Sequence, residues 1–145
     1  MKIRADENVS YRIVKTVNLL CLREGWEFSH VRDVHAARTS DETWLPQFAA
    51  EGGKAILSGD ANMLKRPHQI GAVRETGLVC FVLSKAWTQA RRHEQAANIL
   101  FWWPRIELAL EQSKPGDCWP EPNKFDASML VRKVIDYDKA KRALR

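Results

Sequence analysis

The sequence predicts an α/β fold in which helices cover both faces of a central, mostly parallel sheet. Three observations carry this. Short apolar runs recur at Lys2–Ala5, Trp26–Val31, Lys54–Leu57 and Leu78–Leu83. The segments between them carry apolar residues at helical rather than alternating spacing, the pattern of repeated strand–helix units. Two of the runs stop abruptly on carboxylates, at Asp6-Glu7-Asn8 and at Ser58-Gly59-Asp60. Ligands of open α/β sheets bind outside the carboxyl ends of the strands, so an acid delivered there twice marks a candidate site.

Taken in order, Tyr11 to Glu24 places Val14, Val17, Leu20 and Cys21 on one face, which predicts a helix stopped by Gly25. Trp26–Val31 follows as a strand, then a polar loop through Asp33, His35 and Arg38. Thr39-Ser-Asp-Glu42 fits a capping box, opening a helix that runs through Trp44, Leu45, Phe48 and Ala49 to Gly52-Gly53. Pro46 is tolerable there only in about the first turn. Lys54–Leu57, apolar and bounded by glycine, suits a buried parallel strand. The basic stretch Lys65–His68 leads into a helix ending at Thr76-Gly77, and Leu78–Leu83 is the next strand. Ala86–Gln112 is the longest helical pattern, and Pro104 is expected to kink or split it. Beyond Ser113 the chain turns irregular: Lys114–Pro122 is turn-rich, Met129–Ile135 is predicted as a last strand, and a basic tail closes the sequence.

A length of 145 residues, 45% apolar and 28% charged, fits one ordinary globular domain over residues 1–145. No internal repeat or linker divides it. No apolar run reaches the length of a membrane span, and no signal-like start is present, so a cytoplasmic protein is expected. Cys21, Cys80 and Cys118 are odd in number and far apart, which argues against a disulfide framework or a structural zinc. The net charge of +5 favours a polyanionic partner.

Asp6, Glu7, Asp41, Glu42 and Asp60 come from two strand ends and one helix start, and a doubly wound sheet can bring them to one edge. Two carboxylates about 4 Å apart repel by roughly 4 kcal/mol at an effective dielectric near 20, so such a cluster calls for a cation. Oxygen-only ligands select Mg²⁺ or Mn²⁺, and the chemistry that suits them is phosphodiester hydrolysis. The competing reading makes Asp6 or Asn8 a plain helix cap, Glu42 a capping-box partner, and Asp33 and Asp117 turn residues. Strand alternation turns Glu7 away from Asp6. His30, His35, His68 and His93 have no paired nucleophile and are left without a role. Lys65, Arg66, Arg91 and Arg92 can track phosphates, or form a solvated face. Trp102 and Trp103 can stack bases, or pack in the core or a partner interface. Since Phe101, Trp102 and Trp103 are consecutive, one narrow helix face cannot bury all three, and a partner-binding apolar surface is expected.

The order strand, Asp6-Glu-Asn8, helix, strand, Ser40-Asp-Glu42, helix, strand, Ser58-Gly-Asp-Ala-Asn-Met63 is similar to the PIN-like domains. Glu94-Gln-Ala-Ala-Asn98, Trp102-Trp-Pro-Arg-Ile106 and Pro115-Gly-Asp-Cys118 resemble the PIN-like toxin branch of bacterial toxin–antitoxin systems. The likeness implies a three-layer fold, a ribonuclease acting on RNA with Mg²⁺ or Mn²⁺, and neutralisation by a cognate antitoxin, and it leaves room for a homodimer. Carried over by position, it implies Asp6 as leading ligand, Asp60 as the acid after the third strand and Asp41 as the helix acid. Glu7, Asn8, Glu42, Ser58 and Asn62 then surround them. Related sequences commonly carry a second acid where this chain has Asn62, which weighs against a second metal. Two alternatives stand beside this: an inert PIN-like scaffold for RNA or protein, and a receiver-like domain with Asp60 as phosphoacceptor, Asp6 and Glu7 beside it, and Ser84 and Lys85 assisting. The adjacency of Ser84 and Lys85 argues against the receiver.

Overall fold

The computed structural model describes residues 1–121 and 130–145. Five strands, β1 (Lys2–Ala5), β2 (Glu27–His30), β3 (Ala55–Ser58), β4 (Val79–Val82) and β5 (Cys118–Pro120), form one sheet in the order β2-β1-β3-β4-β5, every neighbouring pair parallel. Among the described residues six α-helices accompany them: α1 (Tyr11–Leu20), α2 (Asp41–Ala50), α3 (Pro67–Thr76), α4 (Lys85–Gln89), α5 (Arg92–Gln112) and α6 (Tyr137–Arg142). The α/β class expected from the sequence is the class observed.

Alternation along the strands feeds two cores, one on each face. Ile3, Ala5, Phe28, Leu57 and Phe81 pack with Val14 and Val17 of α1 and with Trp102, Trp103 and Ile106 of α5. Ile56, Cys80 and Val82 pack with Trp44, Leu45 and Phe48 of α2 and Val73 of α3. Burial on both faces is why β3 and β4 read as apolar runs, whereas β1 and the edge strand β2 mix apolar and polar residues. Arg4 of β1 is polar and still buried. Its guanidinium lies over the Phe48 ring at 4.3 Å, Nε donates to Ser29 Oγ at 3.0 Å, and Glu51 stands 3.6 Å away.

From β1 the chain runs to the edge strand β2, and from β3 it runs the opposite way to β4. The strand order therefore reverses between β1 and β3, and a crevice opens at their carboxyl ends.

Several boundaries differ from the sequence expectation. α1 stops at Leu20, where Cys21 N–H and Leu22 N–H both donate to Val17 O, and Gly25 serves a later turn at φ 81°. The capping box at Thr39 is not formed: Ser40 takes the cap position, and Thr39 Oγ1 donates to Ala36 O at 2.6 Å. Pro46 sits inside α2, past its first turn, where Glu42, whose carbonyl it leaves without an amide donor, is exposed. The Ala86–Gln112 pattern divides at Ala90 and Arg91, both extended, rather than at Pro104, which α5 passes through. The last strand is Cys118–Pro120, inside the stretch read as turns. Of the strand expected at Met129–Ile135, Met129 lies outside the described residues, and the remainder contributes an isolated antiparallel bridge from Lys133 to Cys118. Among the described residues no helix is long and apolar enough to cross a membrane.

Candidate active site

Asp6 is the first residue beyond β1, and the turn after it delivers the chain to Ser10, whose hydroxyl accepts from Arg12 N–H at 3.3 Å. Ser10 caps α1, so neither Asp6 nor Asn8 is spent on that duty. The Asp6 side chain turns inward. Oδ1 accepts from Asn8 N–H at 3.0 Å and from Gly59 N–H at 3.1 Å, and Oδ2 accepts from Ser58 Oγ at 2.5 Å. A Cβ at Gly59 would stand 2.8 Å from the Asn8 carbonyl, so the two strand ends approach this closely because residue 59 is glycine. Asp6 is 7% exposed. Burial pushes its carboxyl above the ordinary range against the three hydrogen bonds that hold it down, and the nearby charge of Asp41 pushes the same way.

Asp41 opens α2. Its Oδ1 accepts from Trp44 Nε1 at 2.9 Å and its Oδ2 from Gln69 Nε2 of α3 at 2.6 Å. Asp6, Glu7, Asn8, Ser40 and Asp41 line one open cavity of about 210 Å³. Asp60 lies on the far side of Ser58, whose Oγ accepts from Asp60 N–H at 3.1 Å. Asp60 Oδ1 accepts from Asn62 N–H at 2.9 Å, and Oδ2 is ion-paired with Arg66. The same Arg66 Nη1 donates to Gln69 Oε1 at 3.0 Å. Gln69 thus joins Asp41 to Arg66, and a polar chain runs Asp6, Ser58, Asp60, Arg66, Gln69, Asp41.

The other predicted positions are distributed as follows. Glu7 is exposed and accepts from Arg38 N–H at 2.5 Å, which holds Arg38 in the left-handed region at φ 63°. Glu42 is exposed with His68 Nε2 at 3.9 Å. Asn62 is exposed beside Asp60. Lys65 lines a larger cleft of about 540 Å³ that also holds Asn8, Asp60, Ser84, Lys85 and Glu121. Arg91 faces Glu94, while Arg92 Nη1 reaches Ser10 Oγ at 2.9 Å across a separate groove. His30 is held at both ring nitrogens, Nε2 against Val9 O at 2.7 Å and Nδ1 accepting from Arg32 N–H at 3.0 Å, which leaves no ring nitrogen for base chemistry.

Two residues escaped the sequence reading. Gln69 sits on a polar helix face with no signal of its own. Glu121 follows β5 as Asp6 follows β1, and it borders the cleft that Asp60 borders. Burial pushes its carboxyl up to about 7 against the Ser84 N–H and the Asn98 side chain. A receiver would need Ser84 and Lys85 on different strands, and both follow β4.

Among the described residues no three Asp, Glu, His or Cys side chains are grouped so that they could hold a metal ion. What the site offers is Asp6 and Asp41 on one cavity, two carboxylates each held by hydrogen bonds. That set fits a hard cation such as Mg²⁺, which binds through one or two carboxylates and keeps most of its water.

The family described as PIN like domain matches residues 1–85, more than half of the chain, and this span includes Asp6, Asp41 and Asp60. No curated protein and no solved structure matches the chain.

Proposed function

We propose that this chain, which belongs to the PIN-like domain family and so to a nuclease-type fold, hydrolyses RNA phosphodiesters with Mg²⁺ or Mn²⁺ as the toxin of a toxin–antitoxin pair. One observation carries the reading. Asp6 is buried at the β1/β3 switch point and lines one cavity with Asp41, so carboxylates from two separate elements face the same space.

Asp6 and Asp41, with Asp60 beside them, would hold the ion, which supplies Lewis-acid polarisation of a phosphate oxygen and a water acidic enough to attack at neutral pH. The chain's own residues do the rest. Asn8 N–H, Gly59 N–H and Ser58 Oγ fix the Asp6 carboxylate in one orientation. Trp44 and Gln69 do the same for Asp41. Lys65 and Lys85, both exposed on the larger cleft, supply positive charge for the phosphates.

The test compares wild type with Asp6→Asn and Asp60→Asn, purified in parallel, on single-stranded and structured RNA with and without chelator. Metal-dependent cleavage that both substitutions abolish supports the reading, and cleavage that survives both ends it. Growth arrest on expression without the antitoxin tests the toxin role separately. A second reading, an inert scaffold, is favoured by the Arg66 guanidinium on Asp60 and by the amide at Asn62. Metal binding without turnover would select it.

A further inference from the structure

We propose that the groove lined by Tyr11, Arg12, Arg32 and Arg92 is the track on which a single RNA strand lies as it enters the acidic cavity.

The groove, of about 590 Å³, is built from the start of α1, the turn after β2 and the start of α5. Three separate segments therefore bring cations to one place. Arg23, Arg66, Arg74, Arg91 and Arg132 each face a carboxylate. Arg12, Arg32 and Arg92 lie in no ion pair among the described residues, and neither does Lys15, one turn along α1. Among the described residues Glu7 is the one acid lining the groove, and its Oε1 accepts from the Arg38 amide. Gathering three arginines around a single carboxylate leaves an excess of positive charge that a polyanion would neutralise.

Tyr11 makes the anion a nucleic acid. Tyr11 is partly buried on the groove, with Lys15 Nζ at 4.5 Å and the Arg32 guanidinium at 5.3 Å from its ring centre, and His30 meets it edge-on at 6.4 Å. Both cations sit on long exposed side chains that can swing to phosphates and leave the ring face to a base. A positive groove joined to an aromatic platform is the arrangement by which proteins hold single strands. A duplex keeps its bases stacked inside and offers none to Tyr11. Glu7 lines this groove and the acidic cavity alike, so a strand in the groove passes beside Asp6. That last step rests on the nuclease reading; the binding does not.

The test measures fluorescence anisotropy of a short labelled oligouridylate, in chelator so that nothing is cut, across a salt series. Replacing Arg12, Arg32 and Arg92 together by Gln should weaken binding at least tenfold and flatten the log–log salt slope by about 2, near 0.7 for each single-strand phosphate that is no longer neutralised. Tyr11→Ala should weaken binding at least about fivefold, and Tyr11→Phe should restore it. A labelled RNA duplex should bind more weakly than the oligouridylate. Unchanged affinity and slope in the triple variant, absence of binding by wild type, or equal binding of duplex would each overturn the track. Wild type that binds through these residues but cuts no RNA keeps the track and loses the nuclease; wild type that cuts while the triple variant binds normally does the reverse.

Discussion

The Ser58 hydroxyl donates to Asp6 Oδ2 at 2.5 Å and accepts from Asp60 N–H at 3.1 Å, so one side chain fixes both strand-end acids relative to each other. β1 and β3 are adjacent, with Ala5 opposite Leu57, and Ser58 is the next residue of β3. The sheet itself therefore places the hydroxyl beside Asp6.

Ser58→Ala is expected to destabilise the protein by about 1–3 kcal/mol, because it leaves a buried carboxylate oxygen and the Asp60 amide short of a partner. Ser58→Thr keeps the hydroxyl and should lose less. Urea unfolding midpoints at constant slope measure both, and equal losses for the two variants would mean that packing, not the hydrogen bonds, sets the cost.

Gly59→Ala tests the close approach of the two strand ends. Its Cβ would fall 2.8 Å from the Asn8 backbone, which has no side-chain freedom with which to retreat. A loss of about 1–3 kcal/mol is expected from overpacking, together with weaker activity because the Asp6 turn must move. Stability within a few tenths of a kcal/mol of wild type would show that the turn is soft.

Glu121 gives the stability a pH dependence of known sign. Its folded carboxyl is pushed from 4.5 up to about 7 by burial, so the folded state holds the proton more tightly than the unfolded chain does. Its stabilising share is complete below 4.5 and is lost as pH rises through 7, by up to about 3 kcal/mol. Glu121→Gln, which cannot ionise, should flatten the wild-type decline between these two values in thermal melts. An unchanged decline would assign it to another group.

How much could be read in advance follows from where each signal sits. Asp6 and Asp60 were legible because each closes a strand-like run, Asp6 directly and Asp60 after Ser58-Gly59, and strand geometry then fixes the edge they reach. Glu121 occupies the same kind of position, but its strand has three residues and ends in a proline, so Trp119-Pro120-Glu121-Pro122 carries the composition of a turn. Pro104 misled in the other direction. A proline in a long helix costs one hydrogen bond, to the carbonyl of Leu100, and the apolar packing of Trp102, Trp103, Ile106 and Leu110 holds the helix together across it. Of the three consecutive aromatics, α5 buries Trp102 and Trp103 and leaves Phe101 38% exposed. Gln69 and the Tyr11 groove were invisible for a simpler reason: each depends on residues far apart in sequence meeting in space, and no local pattern encodes that.

Arg66 supplies the last prediction. Its guanidinium is ion-paired with Asp60 and hydrogen-bonded to Gln69, which in turn holds Asp41, so a fixed positive charge stands between two of the three acids. A divalent cation approaching Asp60 must compete with that charge. Arg66→Gln should therefore bind Mn²⁺ at least about tenfold more tightly than wild type, since relief of one ionic contact to a partly buried carboxylate is worth roughly 1.5–3 kcal/mol. Asp60→Asn removes the acid that Arg66 guards, so adding Arg66→Gln to it should change Mn²⁺ affinity little. A double-mutant cycle by calorimetry separates the two contributions. If Arg66→Gln leaves Mn²⁺ affinity unchanged while Asp6→Asn abolishes it, the ion is held by Asp6 and Asp41 alone and Asp60 serves the neighbouring cleft. If Arg66→Gln weakens Mn²⁺ binding, the guanidinium is organising the acids rather than competing for one, and Gln69→Ala should then weaken binding in the same way by releasing Asp41.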